Sequence, residues 1–578
     1  MKGRETPALE WRPGEWKVGL LAAVAVTIAA AGCGDADHRA LSGLPAFCQE
    51  VLPRVQEHLE AFPQPDGERY GGTVVAGGLG DLTGGMNSLT SPEYMARLHQ
   101  EFVNLSPLIR VDSQLEYQPH LARDWEFSED GTRLTFHLRD DVYWHDGEPT
   151  TAYDVEFTYL RATDPETGFF SAGSWEPYTS GPDGVEVVDD HTIRFTLEPH
   201  PEPLDIWRVL AVLPRHLLEA VPVAELGSHP WSTQCPVGNG PFVFESRDPG
   251  ASWTFIRNPA HPPGLGGAPY LDRYIYRIIP EQSTLLTELL TGSIHLYLAP
   301  NPDAVGQIQS VEEVELLDFP FREYVAVAWN SRRSQLEDPR VRRALTVGTN
   351  REEMIQASLS GYGEIANAGV PPFHWAYHDA LSDALSYDPD EAARLLEEAG
   401  WRDRNGDGFR ENAEGERLTV SVAFNMGNRL RQEVAEIMQA QLGSLGVELQ
   451  PRAVEWGAFV QEMTSPESRD FDGAVLSIVT SIHISDFDQF HSSANQGPMA
   501  LSGMADPELD RLLDSIQVVV DREEATPLWH RYQERIVELQ PYTYLFFPRR
   551  LAGIDGRLEG VEMDARGELA TLNRWWFR

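Results

Sequence analysis

Within residues 121–165 the hydrophobic pattern changes period in a readable way. Leu134, Phe136 and Leu138 alternate with Arg133, Thr135, His137 and Arg139, the period-2 signature of a half-buried strand. Asp130-Gly131 before it and Asp146-Gly147 after it are turn dipeptides, because glycine accepts the positive φ such turns need. Thr151 then stands as an N-cap with Asp154 three residues on. This predicts a helix to about Ala162 with Val155 and Tyr159 on one face, stopped by Asp164-Pro165.

Similar patterns recur along the chain. Residues 71–78 read as a strand entering a glycine-rich loop, and 185–197 as two strands around Asp189-Asp190. Residues 274–298 read strand, helix, strand, and 325–330 form an apolar strand. A helix capped around Asp388 ends at Gly400, followed by a strand over 418–424, an amphipathic helix over 430–445 and a strand over 447–454. That alternation predicts an α/β lobe with a mainly parallel sheet. Gly78, Gly80 and Thr83 do not complete G-x-G-x-x-G and no lysine follows, so the glycines are read as passing a turn near a cleft rather than cradling phosphate.

Length raises the domain count: 578 residues exceed one hydrophobic core. The first 32 residues read as a targeting segment, with Lys2, Arg4, Arg12 and Lys17 ahead of an apolar run too short to span a bilayer. Ala30-Ala31-Gly32-Cys33 is similar to a lipobox, which makes Cys33 the lipidation site; an ordinary signal peptide or an uncleaved anchor is the alternative. Both place the bulk of the protein outside the cytoplasmic membrane. A formal net charge of −43 excludes nucleic acid as a natural partner. Lys2 and Lys17 are the only lysines, so every later fixed cation is arginine. Cys48 and Cys235 are either bridged or free.

The stretch also has a family likeness. Leu121, Ala122, Trp125, Ser128, Asp130, Gly131, Phe136, Leu138, Arg139, Val142, His145, Asp146, Gly147, Pro149, Asp154, Val155, Phe157 and Thr158 match a run that recurs in family 5 extracellular solute-binding proteins. These are the oligopeptide, dipeptide and nickel receptors of ABC importers. Val237-Gly238-Asn239-Gly240-Pro241-Phe242 and residues 338–345 resemble further family segments. The resemblance implies an α/β, periplasmic-binding-protein-like type II fold, two lobes joined by a hinge plus an extra α/β domain. Residues 1–32 would be the signal peptide and 33–68 a tether and extension. Lobe I would comprise 69–104, 236–324 and 546–578, the extra domain 105–235, and lobe II 325–545. It further implies a monomeric receptor, in the periplasm or lipid-anchored at the cell surface, that delivers a peptide or similar polar solute to a permease. A solute receptor for oligosaccharide or metal chelate, a sensor without transport, and a hydrolase are the alternatives.

Candidate chemistry is sparse. Asp403, Asn405, Asp407, Phe409 and Glu414 fit D-x-[DN]-x-[DN]-G-x5-E, which suits Ca²⁺; a polar turn without an ion is the other reading. No G-x-S-x-G, H-E-x-x-H or C-x-x-C occurs, so no enzyme is expected, and Ser481-Ile482-His483 with Asp486 reads as a polar loop. In peptide-binding members an Asp in this segment meets the ligand's ammonium. Here that position falls on His483, or on Asp486 or Asp488 if the register shifts. Trp329, Asn330 and Trp456 complete the candidate ligand contacts, with Trp175 and Trp375 as further aromatic candidates.

Overall fold

The computed structural model describes residues 43–91, 93–169, 181–198, 202–480 and 484–578; Cys33 with its targeting segment, Trp175 and His483 lie outside them. Three sheets carry the architecture. The first runs, in spatial order, Val314–Phe319, Arg550–Asp555, Leu296–Leu298, Thr73–Gly78, Arg273–Ile278, Ser252–Arg257 and Phe242–Asp248. Thr73–Gly78 sits inside it, parallel to both neighbours. Its glycines do not form a loop, as the sequence suggested. A Cβ on Gly77 would lie 2.5 Å from Leu285 Cδ2, and one on Gly78 would overlap the Tyr276 hydroxyl, so close packing excludes side chains here.

A second sheet orders Gly363–Ile365, Tyr542–Pro548, Glu323–Trp329, Gly473–Val479, Thr419–Asn425 and Glu448–Val454. It is mixed rather than mainly parallel: Glu323–Trp329 is antiparallel to both of its neighbours, and only the Thr419–Asn425 pairings are parallel. The late strand Tyr542–Pro548 returns to lie beside Glu323–Trp329, a long-range insertion that no local periodicity announces. Val325, Val327 and Trp329 face one core, Tyr324, Ala326 and Ala328 the other, so both faces are buried.

The third sheet, Ala122–Phe127, Arg133–Leu138, Thr192–Thr196 and Val185–Asp189, is antiparallel throughout. The helix Ala152–Thr163 closes it with the reciprocal Thr151–Asp154 capping box, and Tyr159 packs 5.1 Å from Phe195. This region has no core of its own. Leu134, Phe136 and Phe195 belong to the same apolar cluster as Val74, Phe255 and Tyr274 of the first sheet. Segment 105–235 is thus an elaboration of lobe I, fused to it by packing.

The motif residues do the fusing. His145 accepts from the Gly238 backbone amide through Nδ1 (3.1 Å) and its Nε2 meets the Gly240 carbonyl (3.0 Å). Gly238 and Gly240 lie so near the Asn104 carbonyl that no Cβ fits. Asp146 pairs with Arg54 at 2.8 Å and His216 at 3.0 Å. Arg54 belongs to the helix Ala46–Glu60, which a Cys48–Cys235 disulfide also ties down, resolving the two cysteines as a pair.

Candidate ligand-binding cleft

The chain passes between the first and second sheets at two places. Val314–Phe319 leads through residues 320–322 into Glu323–Trp329, and Tyr542–Pro548 leads through Arg549 into Arg550–Asp555. The second passage sets the lobe boundary at Arg549; Phe546, where the sequence reading put it, is buried inside the second sheet. Two adjacent extended passages between packed bodies are the geometry of a hinge.

Charged side chains cluster at these passages. The Arg550 guanidinium lies 3.7 Å from the Phe321 ring centre and 4.5 Å from that of Tyr94, and pairs with Glu568 at 2.9 Å. Tyr94 donates to the other Glu568 oxygen at 2.7 Å. Arg322 donates to the Thr480 carbonyl of lobe II (2.6 Å) and to the Ala565 carbonyl of lobe I (3.1 Å), so one side chain touches both bodies. On the lobe I wall Arg110 reaches the Glu101 carbonyl and covers the Phe102 ring at 5.1 Å. Burial pulls Arg110 and Arg322 each down to about 10. It pushes Glu101 up, against the opposing pull of Arg110, Arg208, Arg97 and Arg322.

Further out the two bodies touch. Arg522, the first residue of the lobe II helix Arg522–Leu539, pairs with Glu116 (2.7 Å) and Glu202 (3.3 Å) of the elaborated lobe. Burial draws Arg522 down, but Glu202 and Glu116 outweigh it and hold it up. Val111, Leu115 and Ala565 form a small apolar cluster with Phe373 of lobe II. Beside this latch lies a cavity lined mainly by apolar lobe II side chains, among them Trp375, Ile484, Ile516, Val519 and Trp529.

Behind Ile484, Asp486 is buried. Its carboxylate accepts from the Tyr532 hydroxyl at 2.5 Å and Gln489 Nε2 at 3.0 Å, and it has no ion pair among the described residues. Burial raises it to about 6, opposed by the Tyr532 hydrogen bond. The hydroxyls of Tyr542 and Tyr544 are buried close by without a partner.

The sequence-derived candidates scatter. Trp329 is fully buried in the lobe II core, its indole donating to Thr543 at 2.8 Å. Asn330 is 2% exposed and donates to the Phe471 carbonyl. Neither has surface to offer a ligand; the strand end that read as a cleft edge is roofed by the chain around Asp472 and Ser502, which also pairs its backbone. Trp456 and Asp488 are exposed, and Asp486 is buried as described. In the 403–414 loop the carboxylates that converge are Asp403, Asp407 and Glu411, so Glu411 takes the place assigned to Glu414, which is exposed. The converging oxygens already accept hydrogen bonds: Asp403 from Gly406 and Gly408, Asp407 from Phe409 and Arg417, and Glu411 from Arg404 and Asn405. Arg110, Arg322, Arg522 and Glu202 were not singled out by sequence; Arg322, Arg522 and Glu202 take their meaning from partners far along the chain.

Residues 116–497 match the family model described as bacterial extracellular solute-binding proteins, family 5 Middle. The oligopeptide-binding protein AppA of Bacillus subtilis is 29% identical over 514 residues, which is 88% of this chain and 92% of that protein. The dipeptide-binding protein of Escherichia coli is 30% identical over 369 residues, 61% of this chain and 66% of its own. The solved structure of B. subtilis AppA in complex with a nonapeptide superposes with a TM-score of 0.70, at 28% identity, covering 88% of this chain and 99% of that one. The substrate-binding protein CtaP of Listeria monocytogenes reaches a TM-score of 0.77 over 88% of this chain and all of its own, at 21% identity, a likeness of fold.

Proposed function

The chain belongs to the bacterial extracellular solute-binding proteins of family 5, and from that membership we propose that it is the capture component of an ABC importer for peptides. The two lobes close on a peptide about the paired passages at residues 320–322 and Arg549, and the closed form docks on the permease. No bond in the ligand is made or broken. Closure is favoured only by contacts the ligand makes with both lobes at once, since equal affinity for open and closed forms shifts nothing. Cys33 carries the lipid that holds the receptor at the membrane.

The observation that carries this reading is the hinge: two adjacent chain passages, at residues 320–322 and Arg549, join two bodies that also meet through Arg322 and Arg522. Peptides offer both charges and an apolar body, matching Asp486, the arginines and the cavity at Trp375 and Trp529. The relatives named for oligopeptides and dipeptides support the substrate class. The test is native mass spectrometry of the purified protein with a defined library of short peptides, with small-angle scattering on the same samples. Retained peptides and a smaller radius of gyration are expected. Retention of a co-purified non-peptide solute, with every peptide excluded, would refute the substrate class. Radiolabelled palmitate should enter the wild type and not Cys33→Ser.

A further inference from the structure

Resting on the capture reading above, we propose that Arg522, Glu116 and Glu202 form a latch that holds the two lobes together without touching the ligand, and that this latch sets affinity by the same factor for every solute the receptor takes.

The latch closes a seam that starts at the hinge. Arg322, in the first passage, donates to the Ala565 carbonyl of lobe I and the Thr480 carbonyl of lobe II. Ala565 packs with Val111 and Leu115, and Phe373 of lobe II packs against this cluster. Glu116 follows Leu115 in the chain, and its carboxylate meets Arg522 at 2.7 Å. Glu202 joins from the same lobe at 3.3 Å. Each contact along this line is protein on protein.

The surroundings of Arg522 show that it serves the far side of the seam. It opens the helix Arg522–Leu539, where a cation opposes the helix dipole. Three acids, Asp521, Glu523 and Glu524, stand within two residues of it on its own lobe. Asp521 is committed to capping the helix, accepting from the Glu524 amide at 3.0 Å. Arg522 pairs instead with the two acids of the other lobe, and the Trp375 ring, 5.4 Å from its guanidinium, steadies it from its own. Glu202 is equally committed. It is buried, one oxygen accepts from the Tyr117 hydroxyl at 3.0 Å, and the other accepts from Arg522. Without the arginine, the seam would bring Glu116 and Glu202 up to a helix start that carries Asp521, Glu523 and Glu524. In a chain with 89 acidic and 46 basic side chains, like charge would then meet like charge.

A contact made only when the lobes meet adds its free energy to closure, whatever the ligand is. It shifts the dissociation constant of every ligand alike, whereas a residue that touches ligand shifts some and spares others. Arg522 is in this sense a positioning residue: it acts on affinity through the lobes.

The first arm of the experiment uses ligand-free protein, with small-angle scattering at fixed ionic strength on wild type, Glu116→Arg, Arg522→Glu and the double variant that swaps the two charges. Each single variant should have a larger radius of gyration than wild type, and the swap should return towards the wild-type value. Single variants as compact as wild type, or a swap no more compact than the single variants, overturn the latch. The second arm measures dissociation constants for short peptides that differ in length and end groups, by native mass spectrometry. Each single variant should weaken all of them by about 2- to 5-fold, by one common factor. A loss confined to some peptides makes Arg522 a ligand contact and overturns the proposal. If no peptide binds, the peptide reading falls, and the ligand-free scattering still decides the latch. The Glu116 side chain is 58% exposed, so Glu116→Arg should fold even where circular dichroism shows that Arg522→Glu does not, and it then carries both arms alone.

Discussion

The motif block around His145 and the buried acid Asp486 of lobe II both place charge out of water, yet they compensate it in different ways. His145 spends both ring nitrogens on the backbone of Gly238 and Gly240, Asp154 caps its helix, and Asp146 holds Arg54 and His216. In lobe II the buried Asp486 has no ion pair among the described residues, only hydrogen bonds from Tyr532 and Gln489. The first pattern is what a scaffold needs, since a buried polar group stabilises only when it is paired. Conspicuous sequence therefore marks the frame of this molecule, where Asp146 is charge-paired, although buried polar atoms without a partner, among them Asp146 Oδ1 and Asn239 Oδ1, occur in the frame as well.

The sharpest way to break that comparison is at Gly238. Gly238→Ala forces a Cβ against the Asn104 carbonyl, which is backbone and cannot step aside. We expect a loss of about 3 kcal/mol or more, or no soluble protein, measured by urea denaturation. If the variant folds normally but loses ligand, the motif block is functional after all.

Asp486→Asn should act in the other direction. The wild-type carboxylate is raised from 3.8 to about 6, so the native state binds the extra proton. Its stabilising contribution is complete below about pH 4 and is lost as pH rises through 6. On the order of 3 kcal/mol is at stake. The asparagine variant should be more stable than wild type at pH 7.5, equal near pH 4, and weaker for peptides with a free ammonium. Melting curves across that range check the sign.

A smaller effect is expected at the latch. Arg522→Gln removes partly exposed pairs with Glu116 and Glu202, so about 1 kcal/mol or less of stability is lost. Its signature should be a larger radius of gyration and faster ligand release. The smallest effect belongs to the 403–414 loop. Its carboxylates are already hydrogen-bonded, so excess Ca²⁺ or EDTA should move the melting temperature by no more than about 1 °C. A shift of several degrees would instead make Asp403, Asp407 and Glu411 a cation site.

What could be read from sequence was what is encoded locally. The capping box at Thr151, the strand of Leu134, Phe136 and Leu138, and the amphipathic helix read over 430–445 and found at Arg429–Gly443 all depend on neighbours within a few residues. The mixed order of the lobe II sheet depends on Tyr542–Pro548 finding a strand more than two hundred residues away, and no periodicity carries that information. Trp329 misled because the end of an apolar strand looks exposed until the rest of the lobe covers it. The Arg322 bridge between the lobes was invisible for a related reason: its partners, the carbonyls of Thr480 and Ala565, lie more than a hundred and fifty residues away.

The cross-linked N-terminal helix makes the receptor mechanically lopsided. Cys48–Cys235 and Arg54–Asp146 weld that helix to the lobe carrying the first and third sheets. With the proposed lipid at Cys33, fifteen residue steps give a leash of at most about 50 Å, so this lobe is the moored one. The other lobe is joined to it by two chain passages, the Arg322 bridge and the Arg522 latch. A tether at that end would pull on the half held by the disulfide, while the other half moves to close over a ligand that both contact.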